Sequence, residues 1–163
     1  MAQIQTQSET ATRIWRVLSQ VRDPELPVLS IVELGIVRYV QCAEGSAPRI
    51  GITPTYSGCP ATEMIRSAVQ RALGAAGYSD AVVEEVLSPP WTSEWLTEEG
   101  RQKLAAFGIA PPVRSVHPAS EPIACPRCGS RSTRLVSAFG STPCKAHYRC
   151  ESCREPFDYF KCL

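Results

Sequence analysis

Six of the eight cysteines of this 163-residue chain fall in its last 39 residues. Four of them form two pairs, Cys125-x-x-Cys128 and Cys150-x-x-Cys153, separated by 21 residues. Two tight turns at that spacing can aim four thiolates at one tetrahedral ion. A module of this size, 125–163, holds few large apolar side chains: Leu135, Val136, Phe139, Tyr148, Phe157, Tyr159 and Phe160. It is too small to stabilise itself by burial alone and needs a staple. The expectation is a zinc ribbon of short hairpins with structural zinc on Cys125, Cys128, Cys150 and Cys153. Iron can occupy the same four sulfurs, because ligand geometry alone does not separate the two metals.

The remaining length allows one ordinary core ahead of the ribbon. A hydrophobic content of 44% and a charged content of 20% describe a folded globular chain, and a net charge of +1 steers it to neither nucleic acid nor membrane. No apolar run reaches the length of a membrane-spanning helix, and Met1 to Thr12 lacks the charged-then-apolar order of a signal peptide. Cys162 is next to last, which excludes a prenylation box. The expected location is the reducing cytoplasm, where paired cysteines hold metal rather than form disulfides.

Along the chain, Ser8 can cap a first helix whose Ile14, Trp15, Val17, Leu18 and Val21 fall at helical spacing. Asp23-Pro24-Glu25-Leu26-Pro27 ends it. Segments 34–42 and 49–55 read as antiparallel strands around a turn at Glu44-Gly45-Ser46. Gly58-Cys59-Pro60 opens a second helix, with Met64, Ile65, Ala68, Val69, Ala72 and Leu73 as its apolar stripe. A third strand spans 81–87, and Ser88-Pro89-Pro90-Trp91 is stiff and extended. A last helix over 93–107 ends at Gly108. Four prolines mark 110–124 as a semi-rigid linker. The expected architecture is α+β: a small α/β domain over 8–109 with a mixed three-stranded sheet, the linker 110–124, and a C-terminal zinc ribbon over 125–163.

Three cysteines invite a reading beyond the staple. Cys59 sits at a helix N-terminus, where partial positive charge favours a thiolate that could bind iron or attack an electrophile. It is equally placed to pack at a strand–helix junction. Cys144 and Cys162 are either small buried packing residues, a replacement for one ligand of the pairs, or a second thiol site for a transient metal, cluster or redox pair. His117 lies in the linker and His147 in the ribbon, so Cys59 has no evident catalytic base, and an enzyme is not expected. The ribbon's seven cations face three anions and the −2 of a zinc–tetrathiolate centre. The excess of about +2 is too small for a phosphate footprint. Asp23 and Glu25 read from spacing as part of a capped turn.

Four segments together carry a resemblance: Asp23-Pro24-Glu25-Leu26-Pro27, Ile31-Val32-Glu33-Leu34-Gly35-Ile36-Val37, Thr55-Tyr56-Ser57-Gly58-Cys59-Pro60, and Ser88-Pro89-Pro90-Trp91-Thr92. They resemble the small α/β domain of iron–sulfur targeting and maturation factors, the bacterial SufT proteins among them. The tail from Arg149-Cys150 through Cys153-Arg154-Glu155-Pro156-Phe157-Asp158-Tyr159-Phe160-Lys161-Cys162 is similar to the ribbon of the PaaD (or PaaJ) family. These are accessory proteins of the bacterial phenylacetyl-CoA ring-epoxidising monooxygenase. The resemblance implies a fold of the iron–sulfur assembly factor type and a non-catalytic role in phenylacetate degradation. Its partners would be the di-iron oxygenase subunit or the reductase carrying an iron–sulfur cluster and flavin. It further implies that Cys59, with Cys144 or Cys162, handles iron or a cluster as transient cargo. Asp23, Glu25 and Trp91 would line the same face, and zinc would be the resident metal. One such cysteine per domain cannot complete a cluster, so a homodimer, or closure of the ribbon over Cys59, is expected. The competing expectation is a structural subunit of the oxygenase complex that touches no metal.

Overall fold

The structure is a computed structural model that describes residues 9–114 and 121–161. Two compact units divide the chain, Met1–Pro90 and Trp91–Leu163. The boundary lies ahead of the expected one at 109.

In the first unit, α1 (Glu9–Leu18) buries Ala11, Ile14 and Leu18, the spacing of one helical face. Ser8, its expected cap, lies outside the described residues. Val21 is buried after the helix has ended. The chain then turns at Asp23, which is buried and accepts hydrogen bonds from the backbone N–H groups of Glu25 (2.8 Å) and Leu26 (2.7 Å). This side-chain turn satisfies donors that the flanking prolines leave without a helix. Ser30 and Glu33 exchange side-chain-to-backbone hydrogen bonds in a reciprocal box at the next corner.

Strand β1 (Val37–Gln41) is antiparallel to β2 (Arg49–Ile52), and β3 (Val82–Glu85) lies parallel to β2, in the order β1-β2-β3. The first strand is shorter than its Ile/Val run suggested, because Gly35 takes a left-handed turn just before it. Between β2 and β3 runs α2 (Ala61–Ala75), which buries Ala61, Ile65, Val69 and Leu73 at i, i+4 intervals. Each of the three large ones contributes about 1.5–3 kcal/mol by leaving water. Met64, expected in the stripe, is instead 61% exposed, and Ala68 and Ala72 are half-buried.

On one face of this sheet the Tyr39 ring lies over Gly51, where an added Cβ would clash with three of the ring carbons. The Tyr39 hydroxyl donates to Glu84 on β3, and Arg49 grips the same carboxylate with Nε (3.2 Å) and Nη2 (2.7 Å). Hydrogen bonds from Arg49 and then Tyr39 hold Glu84 below its usual carboxylate range.

In the second unit the expected helix over 93–107 is two elements. A 3-10 turn (Ser93–Trp95) and α3 (Glu98–Phe107) are each capped by a threonine, with Thr92 Oγ1 accepting from Glu94 N and Thr97 Oγ1 from Gly100 N. Thr97 is extended, so the helix restarts there. Gly108 closes α3 in the left-handed conformation. Strands β4 (Ile109–Ala110), β5 (Thr133–Ser137), β6 (Lys145–Cys150) and β7 (Pro156–Phe160) form a sheet in the order β4-β7-β6-β5. β5, β6 and β7 are antiparallel neighbours, and β4 runs parallel to β7.

The stretch read as a linker, 110–124, packs into this unit at its described residues. Ala110 and Ile123 are buried with Cys125, Ala146, Cys150, Phe157 and Tyr159. Arg101, itself buried, donates to the carbonyls of Pro112 and Ser93. Thr133 Oγ1 donates to the Ile123 carbonyl at 2.6 Å. Pro111 and Pro112 directly follow β4 and end it. Three of the apolar residues counted toward the ribbon's core are on its surface instead: Leu135 (49% exposed), Val136 (52%) and Phe139 (67%).

The Tyr39–Gly51 overlap makes a sharp expectation. Gly51→Ala displaces the ring and its hydrogen bond to Glu84, lowering stability by about 1–3 kcal/mol in denaturant unfolding. Adding Tyr39→Ala to that variant removes most of the further cost, and strictly additive losses would contradict the close contact.

Candidate metal centre

The four paired cysteines sit on two loops with the same backbone logic. In the first, Gly129 N donates to the Cys125 carbonyl and Cys125 N to the Ser130 carbonyl, both at 2.9 Å. In the second, Cys150 N donates to the Glu155 carbonyl (3.0 Å) and Cys153 N to the Cys150 sulfur (3.5 Å). Each loop needs a left-handed residue after its second cysteine: Gly129 (φ 76°) in one and Arg154 (φ 67°) in the other. Glycine adopts that conformation freely, whereas arginine does so at a steric cost. Ser130 Oγ and Ser152 Oγ share a 2.7 Å hydrogen bond that ties one loop to the other. The β5–β6 register, which sets Thr133 against Cys150, brings the first loop to the end of β6.

All four Sγ atoms lie within 4.8 Å of one another. Cys125 and Cys153 are 3.8 Å apart, and Cys128 and Cys150 are 3.6 Å apart. Zinc–sulfur bonds of about 2.3 Å in a tetrahedron set sulfurs about 3.8 Å apart, so the group fits zinc. Cys125 and Cys150 are buried, Cys153 is half-buried and Cys128 is exposed. With four protein ligands, a bound zinc has no open position for water or substrate, which makes it structural.

The electrostatics of Cys150 and Cys153 point the same way. Cys150 is pulled down to about 6, first by the N–H of Cys153 and against its own burial, with help from Ser152 N–H. For Cys153 the N–H of Glu155 favours the thiolate. Burial and the hydrogen bonds shared with Cys150, Cys128 and Cys125 outweigh it and push that thiol up to about 12. Near neutral pH Cys153 therefore keeps its proton, which a bound cation would displace.

Among the described residues the group consists of these four cysteines, and each of the other singled-out residues is described within its own unit. Cys59 is half-buried just before α2; its N–H donates to the Tyr56 carbonyl and its carbonyl accepts from Thr62 N, both at 3.2 Å. Gly58, at φ 78°, makes the preceding turn. Asp23 and Glu25 share one turn in the same unit, with Glu25 half-buried. Trp91 belongs to the second unit, where it is buried with its ring centroid 5.9 Å from that of Phe160. Cys144 is buried, 3.0 Å from Thr142 Oγ1, and its carbonyl accepts from Lys161 N. Cys162 lies outside the described residues, as does His117. His147 bonds Asp158 on the neighbouring strand at 3.2 Å. Sequence reading missed the Ser130–Ser152 tie, because the two serines occupy different positions in their loops.

Residues 110–161 match the PaaD zinc beta ribbon domain, and residues 11–86 match the iron-sulfur cluster assembly protein domain. An Escherichia coli (strain K12) protein, provisionally named as one of the subunits of 1,2-phenylacetyl-CoA epoxidase, is 53% identical over 153 residues, covering 92% of each chain. The chain belongs to the PaaD family. The chain is also similar to the Bacillus subtilis (strain 168) Fe-S protein maturation auxiliary factor YitW. That relative is 40% identical over 93 residues, 56% of this chain and 87% of the relative. Among solved structures, the DUF59 domain from Bacillus anthracis superposes with a TM-score of 0.56 at 31% identity, over 60% of this chain and 93% of that one. Among the described residues no helix is long and apolar enough to cross a membrane. This PaaD-family chain thus joins an iron–sulfur assembly domain to a zinc ribbon with a four-cysteine metal-binding group.

Because metal uptake must displace thiol protons, zinc affinity rises with pH through the neutral range and each binding event releases protons. Competition titration against a chromophoric chelator, with calorimetry in buffers of different ionisation enthalpy, measures both. Cys150→Ser removes the buried ligand at the sheet end. It is expected to abolish stoichiometric zinc and unfold the ribbon while leaving the helical signal of the first unit.

Proposed function

We propose that this protein is a metallocentre maturation factor for a phenylacetyl-CoA epoxidase, handling iron or an iron–sulfur cluster for one of its metal-containing subunits. The observation that carries the reading is the separation of tasks among the cysteines. Four are close enough to share one resident ion. Cys59 is not among them: it is half-buried, on a glycine turn at the mouth of α2, inside the part that matches iron-sulfur cluster assembly proteins. A cysteine there sits on a turn fixed by backbone hydrogen bonds yet is open enough to bind and pass on a metal.

The relatives support the two halves of the proposal separately. One is named as an epoxidase subunit and another as an Fe-S protein maturation auxiliary factor. The proposed division is an assembly domain ending near the first unit's boundary, with the ribbon keeping its own zinc at Cys125, Cys128, Cys150 and Cys153. Cys59 carries the cargo, and Asp23, Glu25, Trp91, Cys144 and Cys162 are supporting residues. No catalytic step is assigned to the chain, and its place is the cytoplasm. A cluster on Cys59 needs thiolates from elsewhere, so a second copy or the client completes the site during transfer.

The second reading, a structural subunit of the epoxidase, makes the opposite prediction for one substitution. Cys59→Ser is expected to leave the epoxidase complex assembled but short of iron by metal analysis, with activity falling in proportion. Full iron content and activity in the Cys59→Ser strain would exclude maturation through this residue. Loss of assembly on deletion of the whole chain, with iron unaffected by Cys59→Ser, would favour the structural role.

A further inference from the structure

The second unit leaves one strand edge in a state that isolated folded chains avoid. Among the described residues β5 is the last strand at one end of its sheet, and four of its five residues are exposed. An edge strand turns alternate backbone N–H and C=O groups outward, and an apolar one invites another chain to pair with it. Glu151 N donates to the Ser132 carbonyl (2.8 Å), which sets the phase of the ladder. Arg134 directs its backbone groups to Arg149 on β6, and Leu135 directs its own away from the sheet. Leu135, Val136 and Phe139 supply three exposed large hydrophobics within five residues. The Phe139 ring is held in place by Lys161, whose Nζ sits 4.4 Å from the ring centroid and donates to the Ala138 carbonyl at 2.9 Å.

The charge beside this edge is one-sided. Arg134 and Arg149 stand directly opposite each other on adjacent strands, an arrangement that costs stability when nothing neutralises it. Glu151 takes Arg134 at 3.2 Å. Among the described residues Arg149 and Arg131 have no ion-pair partner, and both are exposed. Pairing two copies along β5 would add a second Arg134 and Arg149 to the first, so like charge disfavours a second copy. A bulge between Leu135 and Ser137 works against self-pairing as well.

We infer that β5 is a docking strand for an extended segment of a partner protein, one whose side chains alternate between acidic and apolar. Added along the edge, such a segment bonds the outward backbone groups at Leu135. It places carboxylates on the face of Arg134 and Arg149 and apolar groups on the opposite face, beside Leu135. The inference rests on the proposed function in one respect: the partner is taken to be a subunit of the epoxidase the chain serves.

The test uses the full-length, zinc-loaded chain and the purified subunits of a phenylacetyl-CoA epoxidase. Binding is measured for the wild type, Leu135→Glu and Arg149→Glu, and amide exchange is followed in the complex. Arg149→Glu faces Arg134 and so keeps the fold, which zinc content and Tm verify. The expected result is binding weakened by about tenfold or more in each variant, with slowed exchange at 133–137 in the wild-type complex. Unchanged affinity in both folded variants, or unaltered exchange at 133–137, overturns the docking strand while leaving the proposed function standing. Self-association of the wild type that both variants abolish assigns the edge to a second copy and overturns it too. Failure of the wild type to bind any subunit overturns both the inference and the reading beneath it.

Discussion

The second unit depends on four thiolates being brought within tetrahedral reach of one another. Remove the ion they fit and the loops at 125–130 and 150–155 leave sulfurs crowded at 3.6 and 3.8 Å, where the shared hydrogen bonds and burial hold Cys153 in its thiol form. Supply a dication and the same crowding becomes attraction. Cys150 ends β6 and Cys125 lies buried in the hydrophobic cluster, so the metal clamps the sheet to the chain that leads into it. The short cluster of Phe157, Tyr159, Ala146 and Ile123 then needs to supply only part of the stability of a unit this small. Register follows as well: with Cys150 fixed, Thr133 must lie opposite it, and the edge strand has no freedom to slip.

The first unit solves the same problem without a staple. Its stability rests on buried aliphatic side chains from α1, α2 and the sheet, with Ile14, Leu18, Ile31, Leu34, Ile50, Ile52, Val69 and Leu73 all fully or almost fully buried. Cys59, half-buried at the mouth of α2, is not one of these fully buried side chains. A cysteine that is not needed to hold a fold is available to exchange ligands, whereas one locked in a four-sulfur site is not. On the proposed function, the ribbon retains its own metal while Cys59 in the first unit handles the cargo, a division that matches how each unit is stabilised.

Much of this was legible in the residues. The Cys-x-x-Cys spacing announced the metal group because ligand chemistry leaves few alternatives, and the i, i+4 aliphatics of α2 announced the helix because burial enforces that period. What was not legible depended on partners distant in sequence. The proline-marked stretch 110–124 looked like a spacer because its composition is that of one. Its role emerges only when Ala110 meets Tyr159 in β4–β7 pairing and Ile123 receives the Thr133 hydroxyl. The helix expected over 93–107 was misjudged for a local reason: Thr92 and Thr97 each cap, and two caps five residues apart make two elements. Leu135, Val136 and Phe139 looked like core because hydrophobicity was counted without knowing that β5 would be the last strand of its sheet.

That last misjudgement bears on function. An edge strand rich in apolar residues is a hazard to any chain that must stay dispersed, and it is tolerated where a partner covers it. In this ribbon the exposed edge is one strand removed from Cys150, and Arg149, the residue before that ligand, carries the charge that would select the partner. Metal retention and partner selection are thereby coupled through β6: a ribbon without its ion has no fixed β6 for β5 to pair with, and so no ordered edge to offer. On this argument the resident zinc does more than staple a small domain. If β5 is the docking strand we infer, the edge is ordered only when the metal centre is complete, and a chain lacking its own zinc would engage the proposed client poorly.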